Sequence, residues 1–311
     1  MELRQLRYFV AIADCGSLTK AAEKVFVAQS ALSHQMAQLE DELGTALFHR
    51  SRRGVELTEA GQRFLPHAVS ILRQTEEAAA SARSASESPA GKVVFGIPHS
   101  ASQALALPLL REVRRRHPLI ELELTEELTG NLIRQLRTGQ IQLAALFDDG
   151  SLEELDAVRV LSEQLSLIEP AGIAEPVGNG RRISLKAALA HPLILPAPPH
   201  GVRPIIEAAA RAAGLPPPKV AAAISSVSIL RTTLLAGLGR TLLPVMPLQP
   251  EIDAGLLRAT PVAPPRLERV IALCSAAHIP RSGACIAVSA LATELMQRLC
   301  AEGRWRDARA L

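Results

Sequence analysis

Residues 16–61 constrain the fold of this chain most strongly, because they predict two short helices joined by a very short turn. Ser17 is a good N-cap for the first helix, since its hydroxyl can accept a hydrogen bond from an otherwise unpaired backbone N–H. Gly44 stands where a helix commonly ends. Apolar residues recur at helical spacing in two series, Leu18, Ala21, Ala22 and Val25, then Leu32, Met36, Leu39 and Leu43. This pattern predicts a helix-turn-helix.

The second predicted helix carries a polar cluster opposite its apolar stripe. Its members are Gln29, Ser30, Ser33, His34 and Gln35. A DNA-recognition helix presents its N-terminal residues to base edges in the major groove, where Gln and Ser pair with bases. The acids at 40–42 stand at the opposite end, whereas Ala28 is a poor N-cap for such a helix. A solvated helix start on any soluble protein is the alternative interpretation.

A basic hairpin is predicted directly after these helices. Residues 47–50 and 55–57 are strand-like and flank a turn that contains Gly54. Arg50, Arg52 and Arg53 would make this hairpin a basic wing able to reach phosphates or a narrow minor groove. Ser17 and Thr19 are further candidates for phosphate contacts. A solvated loop is the alternative for the arginines alone, but their position after a helix-turn-helix favours DNA binding.

A long helix is predicted from residue 59 to about 86. Thr58 is its N-cap, and Glu59 in its first turn suits the helix dipole. An apolar seam with no local cover favours a partner helix, although packing on the α/β region that follows in the same chain is the alternative. Pro66 should bend this helix or weaken one hydrogen bond. The composition of residues 86–91 predicts a hinge.

Alternating strands and helices after residue 92 predict an α/β region with a parallel sheet. The predicted strands are 93–97, 119–125, 143–147, 165–168, 193–195, 220–224, 241–245 and 269–274. The predicted helices are 103–116, 131–138, 202–213, 227–236 and 283–300. Residues 196–199 and 216–218 are rich in proline and are predicted loops.

The N-terminal motifs resemble those of the LysR-type bacterial transcriptional regulators. The matching residues are Leu6-Arg7-Tyr8-Phe9, Gly16-Ser17-Leu18-Thr19-Lys20-Ala21-Ala22, Gln29-Ser30-Ala31-Leu32-Ser33-His34-Gln35, Leu39-Glu40-Asp41-Glu42-Leu43-Gly44, Leu47-Phe48-His49-Arg50 and Leu57-Thr58-Glu59-Ala60-Gly61. The family often has Pro at the position of Ser30 and Arg at that of His34. Because His34 replaces that Arg, the resemblance does not support one strong base or phosphate contact that the family would imply. Within the family the motifs are most similar to the nitrogen-assimilation-control type.

The resemblance implies an α/β protein with an N-terminal winged helix-turn-helix plus a long linker helix, then a two-lobed periplasmic-binding-protein-like α/β effector domain. The implied boundaries are 1–58, 59–91 and 92–311, with lobe I at about 92–163 and 268–300 and lobe II at about 164–267. The implied partners are double-stranded DNA, RNA polymerase, a small-molecule inducer and the chain itself, as a homodimer or homotetramer through linker helices and effector domains.

The candidate effector residues follow the carboxyl ends of the predicted strands, where open sheets bind ligands. They are Ser100, Ser102, Thr129, Phe147, Asp148, Pro198, His200, Ser225 and Ser226. Each Ser or Thr is also a plausible plain N-cap, and the resemblance is what implies a shared cleft. Arg203 is the only Lys or Arg in these loops, so helix N-termini and hydroxyls would hold an anion, with pH-dependent charge from His99 and His200.

Several function classes are disfavoured by the sequence. It has none of the common nucleotide-binding, hydrolase or metalloprotease motifs, and its eight histidines are scattered. We therefore expect no enzyme activity, no cofactor and no metal.

No signal-peptide pattern or apolar run of about 20 residues is present, so we expect a cytoplasmic protein rather than a membrane protein or secreted solute-binding protein. The four cysteines lack a C-x-x-C pair and are expected to be reduced, a redox sensor being the alternative. A regulator controlled only by its abundance, with no effector, is the remaining alternative.

Overall fold

A computed structural model describes residues 1–51, 54–83, 88–150, 152–173, 176–177, 181–197, 202–264 and 266–311. The helices are α1 (Leu3–Cys15), α2 (Leu18–Lys24), α3 (Gln29–Leu43), α4 (Glu59–Arg83), α5 (His99–Arg116), α6 (Thr129–Arg137), α7 (Leu185–Ala188), α8 (Arg203–Ala212), α9 (Val227–Leu235), α10 (Gln249–Asp253) and α11 (Gly283–Ala301). The strands are β1 (Phe48–Ser51), β2 (Gly54–Leu57), β3 (Gly91–Pro98), β4 (Ile120–Glu127), β5 (Leu143–Asp148), β6 (Leu155–Gln164), β7 (Ser166–Pro170), β8 (Leu193–Leu195), β9 (Val220–Ala223), β10 (Thr241–Leu243), β11 (Leu257–Pro261), β12 (Glu268–Ala276) and β13 (Ala308–Ala310). The chain forms two compact units, Met1–Glu87 with Arg137–Gln140, and Ser88–Leu136 with Ile141–Leu311.

Helices α1, α2 and α3 of the first unit form the predicted helix-turn-helix with one supporting helix. The hydroxyl of Ser17 accepts a hydrogen bond from the Lys20 backbone N–H at 3.5 Å, as expected of an N-cap. Gly44 ends α3 in the left-handed conformation, and no side chain caps its N-terminus at Ala28. Phe9 is fully buried, and the centre of its ring lies 5.1 Å from the ring centres of Phe48 and Phe64, in a tilted and an edge-to-face arrangement. These contacts join α1 to the hairpin and to α4.

The hairpin β1–β2 is antiparallel and pairs Phe48 with Leu57. Hydrogen bonds to Glu40 and a close approach to Gly16 hold it against the helices. The carboxylate of Glu40 accepts hydrogen bonds from the Leu47 backbone N–H at 2.8 Å and the Phe48 N–H at 3.2 Å. At Gly54, a β-carbon would stand 2.7 Å from the Gly16 carbonyl oxygen, so only glycine fits this approach without a shift.

Helix α4 begins as predicted, because the Thr58 hydroxyl accepts a hydrogen bond from the Gly61 N–H at 3.0 Å and donates one to the Ala46 carbonyl at 2.7 Å. Pro66 lies within the helix. The prediction that nothing local covers its seam is wrong for the N-terminal half. There the side chains from Ala60 to Leu72 on the seam pack in the same core as the buried residues of α1.

A six-stranded sheet in the second unit has the order β13-β6-β12-β5-β3-β4. Strand β3 pairs in parallel with β4 and β5, but β12 is antiparallel to β5 and β6, and β13 is antiparallel to β6. The parallel arrangement predicted for strands 93–97, 119–125 and 143–147 is found in β3, β4 and β5, whereas the returning strand β12 is antiparallel to both of its neighbours. The physical reason lies in the path of the chain. After β6 the chain leaves this sheet to form lobe II, and β12 brings it back into the sheet in the direction opposite to β6.

Lobe I is built around this sheet, with α5 and α11 on one face and α6 on the other. The single tryptophan, Trp305, is 1% exposed in this core. By length and composition alone, α11 is the one helix in the described part of the chain that could cross a membrane. It is nevertheless a core helix here, since residues such as Leu291, Leu295 and Leu299 are buried against the sheet.

Lobe II has its own core, formed by buried residues between Leu165 and Leu267. Its two small sheets are antiparallel β10-β7-β11 and parallel β8-β9. Strands β6, β11 and β13 were not predicted from the sequence, and β7 begins one residue after its predicted start. The predicted domain and lobe boundaries remain predictions.

Candidate DNA-binding surface and effector cleft

The start of α3 presents the predicted polar cluster to solvent. Gln29, Ser30 and His34 are exposed, and Ser33 and Gln35 are partly exposed, while the apolar stripe of α3 is buried. The Thr19 hydroxyl donates a hydrogen bond to the Gln29 amide oxygen at 3.3 Å. That bond ties the start of α2 to the start of α3 and leaves the Gln29 amide nitrogen available as a hydrogen-bond donor.

The other predicted DNA contacts have different surroundings. The hydroxyl of Ser17 already caps α2. Arg50 lies in β1, where its backbone pairs with Val55, and the structure does not describe its side chain. Arg52 and Arg53 lie outside the described residues. The tip of the wing therefore stays a prediction.

A cleft in the second unit, with about 600 Å³ of space unoccupied by protein atoms, brings together five of the predicted effector residues. They are Ser100, Thr129, Phe147, Ser225 and Ser226. The Ser226 hydroxyl caps α9 by accepting from Ile229 N–H at 3.4 Å. The Ser225 hydroxyl accepts from Ala197 N–H at 3.1 Å. These residues come from both lobes, so the cleft is formed where the lobes meet.

Two predicted residues do not line this cleft. The Ser102 hydroxyl donates to the His99 carbonyl at 3.0 Å, inside the first turn of α5. The Asp148 carboxylate accepts from Arg159 Nε at 2.6 Å and from the Gly150 N–H at 3.2 Å, so its oxygens already have partners. Pro198 and His200 lie outside the described residues.

Arg269 was not predicted from the sequence, yet it lines the cleft from β12. Its side chain is 3% exposed, and its Nε donates to Glu163 Oε2 at 2.6 Å. The guanidinium carbon lies 3.8 Å from the centre of the Phe147 ring, a cation–π distance. Burial lowers the pKa of the guanidinium while the Glu163 carboxylate opposes that shift, and the group stays charged. The available signal was a charged residue inside the apolar strand 269–274.

One nitrogen of this guanidinium, Nη2, is buried and makes no hydrogen bond. A buried donor without a partner is costly, so a ligand acceptor at this wall would gain a charge-assisted hydrogen bond. Two other titratable groups line the cleft. His99 pairs with the Glu126 carboxylate through Nδ1, and the Glu127 carboxylate accepts from Asn131 Nδ2 at 3.0 Å. The cleft thus combines mainly apolar walls with a buried cation, a carboxylate and several hydroxyls.

Among the described residues, no cluster of His, Cys, Asp and Glu could hold a metal ion. Cys274 and Cys300 are poor nucleophiles, because burial raises the pKa of Cys274 to about 12 and that of Cys300 to about 11.

Comparison with known proteins connects both surfaces to one family. Residues 3–62 match the family described as bacterial regulatory helix-turn-helix protein, lysR family, and residues 86–298 match the LysR substrate binding domain. The nitrogen assimilation regulatory protein nac of Klebsiella aerogenes is 35% identical over 78% of this chain and 78% of its own length. The protein of the same name from Escherichia coli (strain K12) is 33% identical over the same shares.

Solved structures agree with the fold. A full-length OxyR variant from Pseudomonas aeruginosa is 25% identical, with a TM-score of 0.71 over 95% of each chain. Full-length CbnR in complex with its target DNA is 22% identical, with a TM-score of 0.67 over 94% of this chain and 99% of that one, and this likeness concerns the fold alone. The similar proteins are named as transcriptional regulators and not as enzymes. The chain belongs to the LysR family of DNA-binding bacterial transcriptional regulators.

Proposed function

We propose that this regulator binds promoter DNA as a dimer of dimers and responds to a small anionic molecule in the cleft between its lobes. The observation that carries the effector proposal is the unpaired, buried Nη2 of Arg269 at the wall of that cleft. Apolar walls would hold the body of the ligand, and the guanidinium would hold its carboxylate or a similar group. RNA polymerase is a further proposed partner, and the proposed location is the cytoplasm.

In the DNA-binding unit, we assign base contacts to the start of α3 through Gln29, Ser30, Ser33 and His34. Gln35 stands beside them as a further candidate. The wing arginines would hold the backbone or the minor groove, and Thr19 and Ser17 would lie near phosphates. The exposure of the α3 start supports this assignment.

Footprinting at two salt concentrations tests the DNA part. A two-fold-symmetric protected site that survives competitor DNA is expected, and the two nac relatives make promoters of nitrogen-related genes a good first choice. Gln29→Ala should relax sequence preference at one position. Arg52→Ala should weaken binding to all sequences and flatten the salt dependence. Equal losses on specific and random DNA for both variants would contradict the assigned roles.

A thermal-shift screen of small carboxylic acids tests the effector part, because a ligand that binds only the folded state raises the melting temperature. The fluorescence of Trp305 is a suitable signal, since it is the only tryptophan and is buried. The ligand-induced shift should be lost in Arg269→Lys, which cannot reproduce the planar donor geometry.

Arg240→Lys is the matched control. Arg240 forms another strongly buried ion pair, with Nε 2.9 Å from Glu169 Oε2, but it does not line the cleft. This variant should keep the ligand-induced shift. A shift that survives in Arg269→Lys would refute the role of Arg269. If no acid raises the melting temperature of the wild type, the alternative of a regulator controlled by its abundance is favoured.

A further inference from the structure

Phe26, in the turn between α2 and α3, has a backbone conformation that its side chain disfavours. Its φ is 56°, in the left-handed region. Across the described ranges, the other positive φ angles belong to glycines and to Asp307. Bulky residues are genuine outliers in this region, and backbone strain of this kind often marks a functional position.

The hydrogen bonds of this turn do not require phenylalanine. The Val27 N–H donates to the Ala22 carbonyl at 3.0 Å, and the Phe26 N–H donates to the Glu23 carbonyl at 3.2 Å. These two bonds form the Schellman pattern that ends many helices, and glycine is the usual residue at the left-handed position. Glycine or asparagine would therefore make the same turn with less strain.

The ring of Phe26 does not compensate the strain within the chain. Its side chain is 94% exposed, the highest exposure among the large hydrophobic residues in the described part of the chain. Its neighbours Val25 and Val27 pack against the helix-turn-helix core, but Phe26 does not. A strained residue that buries almost nothing in the free protein is explained by a contact with another molecule.

The position of Phe26 indicates which molecule this is. It precedes Gln29 by three residues, a separation of at most about 11 Å along the chain. Residues 28–31 are all exposed, so the turn and the start of α3 form one continuous surface. A duplex that meets the first turn of α3 comes within reach of the ring. Phenylalanine makes apolar contacts with thymine methyl groups in the major groove.

We propose that Phe26 is a DNA-contacting residue, whose ring packs on the apolar surface of the duplex beside the bases reached by α3. The contacted group is a thymine methyl or a deoxyribose face. This inference rests on the proposal that the start of α3 faces DNA. It explains why this turn keeps a phenylalanine where a glycine would fold more easily.

Full-length Phe26→Gly and Phe26→Asn variants test this proposal. The probe is a duplex that the wild-type protein selects from a pool of random sequences. The melting temperature should be unchanged or higher, because strain is relieved, whereas the Kd for the selected duplex should rise about tenfold. Phe26→Tyr keeps the ring and should keep the affinity. Leu238→Asn is the matched control: Leu238 is 72% exposed beside a turn glycine in the other unit, and its replacement should leave the Kd unchanged.

Deoxyuridine substitutions distinguish the two contacted groups. If a thymine methyl is contacted, removing one particular methyl weakens wild-type binding and has no effect on Phe26→Gly. If a deoxyribose face is contacted, each substitution affects both proteins equally.

An unchanged Kd in Phe26→Gly and Phe26→Asn would overturn the proposal. A loss of affinity that accompanies a smaller mass in sedimentation would also overturn it, because the ring would then contact a second copy of the chain. If the wild type enriches no duplex, both this inference and the proposed role of α3 fail, whereas intact wild-type binding with unaffected variants overturns this inference alone.

Discussion

Replacing Glu163 by Gln is expected to destabilise the second unit by about 3–5 kcal/mol, the usual cost of breaking a buried ion pair from one side. Glu163 is fully buried. One carboxylate oxygen accepts from Arg269 Nε at 2.6 Å, and the other accepts from Trp305 Nε1 at 2.6 Å. The variant would leave the charge of the Arg269 guanidinium without a counter-charge in a site that is almost closed to solvent. Its amide has one acceptor oxygen for two donors, so its N–H₂ group would face the second donor.

Urea unfolding followed by Trp305 fluorescence measures this effect. The chain has one tryptophan, so its signal reports on the second unit and not on the DNA-binding unit. With a urea slope of about 2–3 kcal/mol/M, the midpoint should fall by about 1–2 M. The double variant Glu163→Leu/Arg269→Met should recover part of the loss, because an apolar pair of similar volume often replaces a buried ion pair at little cost. The recovery is incomplete because Trp305 Nε1, which donates to Glu163 in the wild type, loses its acceptor.

Glu268→Gln is the matched control on the same strand as Arg269. Its side chain is 21% exposed and accepts from the Ser162 hydroxyl at 2.8 Å and Arg309 Nη2 at 3.1 Å. A partly solvated pair contributes about 1 kcal/mol or less, so the midpoint should move little. The reasoning is refuted if Glu163→Gln behaves like this control, or if the double variant is no more stable than the single one.

Three further predictions concern the remaining contacts. Glu40→Ala should lower the melting temperature of the first unit and weaken DNA binding. The reason is that the Leu47 and Phe48 N–H groups lose their acceptor, which costs about 1–3 kcal/mol of stability. A circular-dichroism melt in which this variant is as stable as a Glu42→Ala control would contradict this. Gly61→Ala should be more damaging in the same melt, because its β-carbon would stand 2.1 Å from the Leu47 carbonyl oxygen, a backbone atom that cannot turn away; an unchanged melt would disprove the packing. The raised pKa values of Cys274 and Cys300, about 12 and about 11, keep these thiols protonated up to high pH. Iodoacetamide at pH 8 should therefore label them only after unfolding, as read by mass spectrometry, and rapid labelling of the folded protein would refute this.

The DNA-binding unit was largely predictable because its determinants are local. The caps at Ser17 and Thr58 and the left-handed end at Gly44 are formed by residues within a few positions of the helix ends they serve. Phe26 was not predictable, since its side chain gives no sign in the sequence of a positive φ. The cover that α1 provides for the first half of α4 was also missed, because it joins segments far apart in the sequence.

The second unit shows the limit of local patterns more clearly. Alternating strands and helices indicated the α/β class and most of the elements. Strand direction depends on where the chain re-enters a sheet. The antiparallel pairing of β12 with β5 and with β6 joins residues more than 100 positions apart in both cases. Periodicity within a strand contains no information about that pairing.

For this protein, the sequence alone determined the helix-turn-helix, the family resemblance and the candidate serines at strand ends, because spacing and capping act over a few residues. Only the tertiary structure decided which candidates share the cleft and which are used elsewhere, as Asp148 is by Arg159. It also decided that Arg269, from a strand late in the chain, is the cation of that cleft. A residue's partners and its burial are set by the packing of distant segments, and that packing is what gives a charge or a hydroxyl its function.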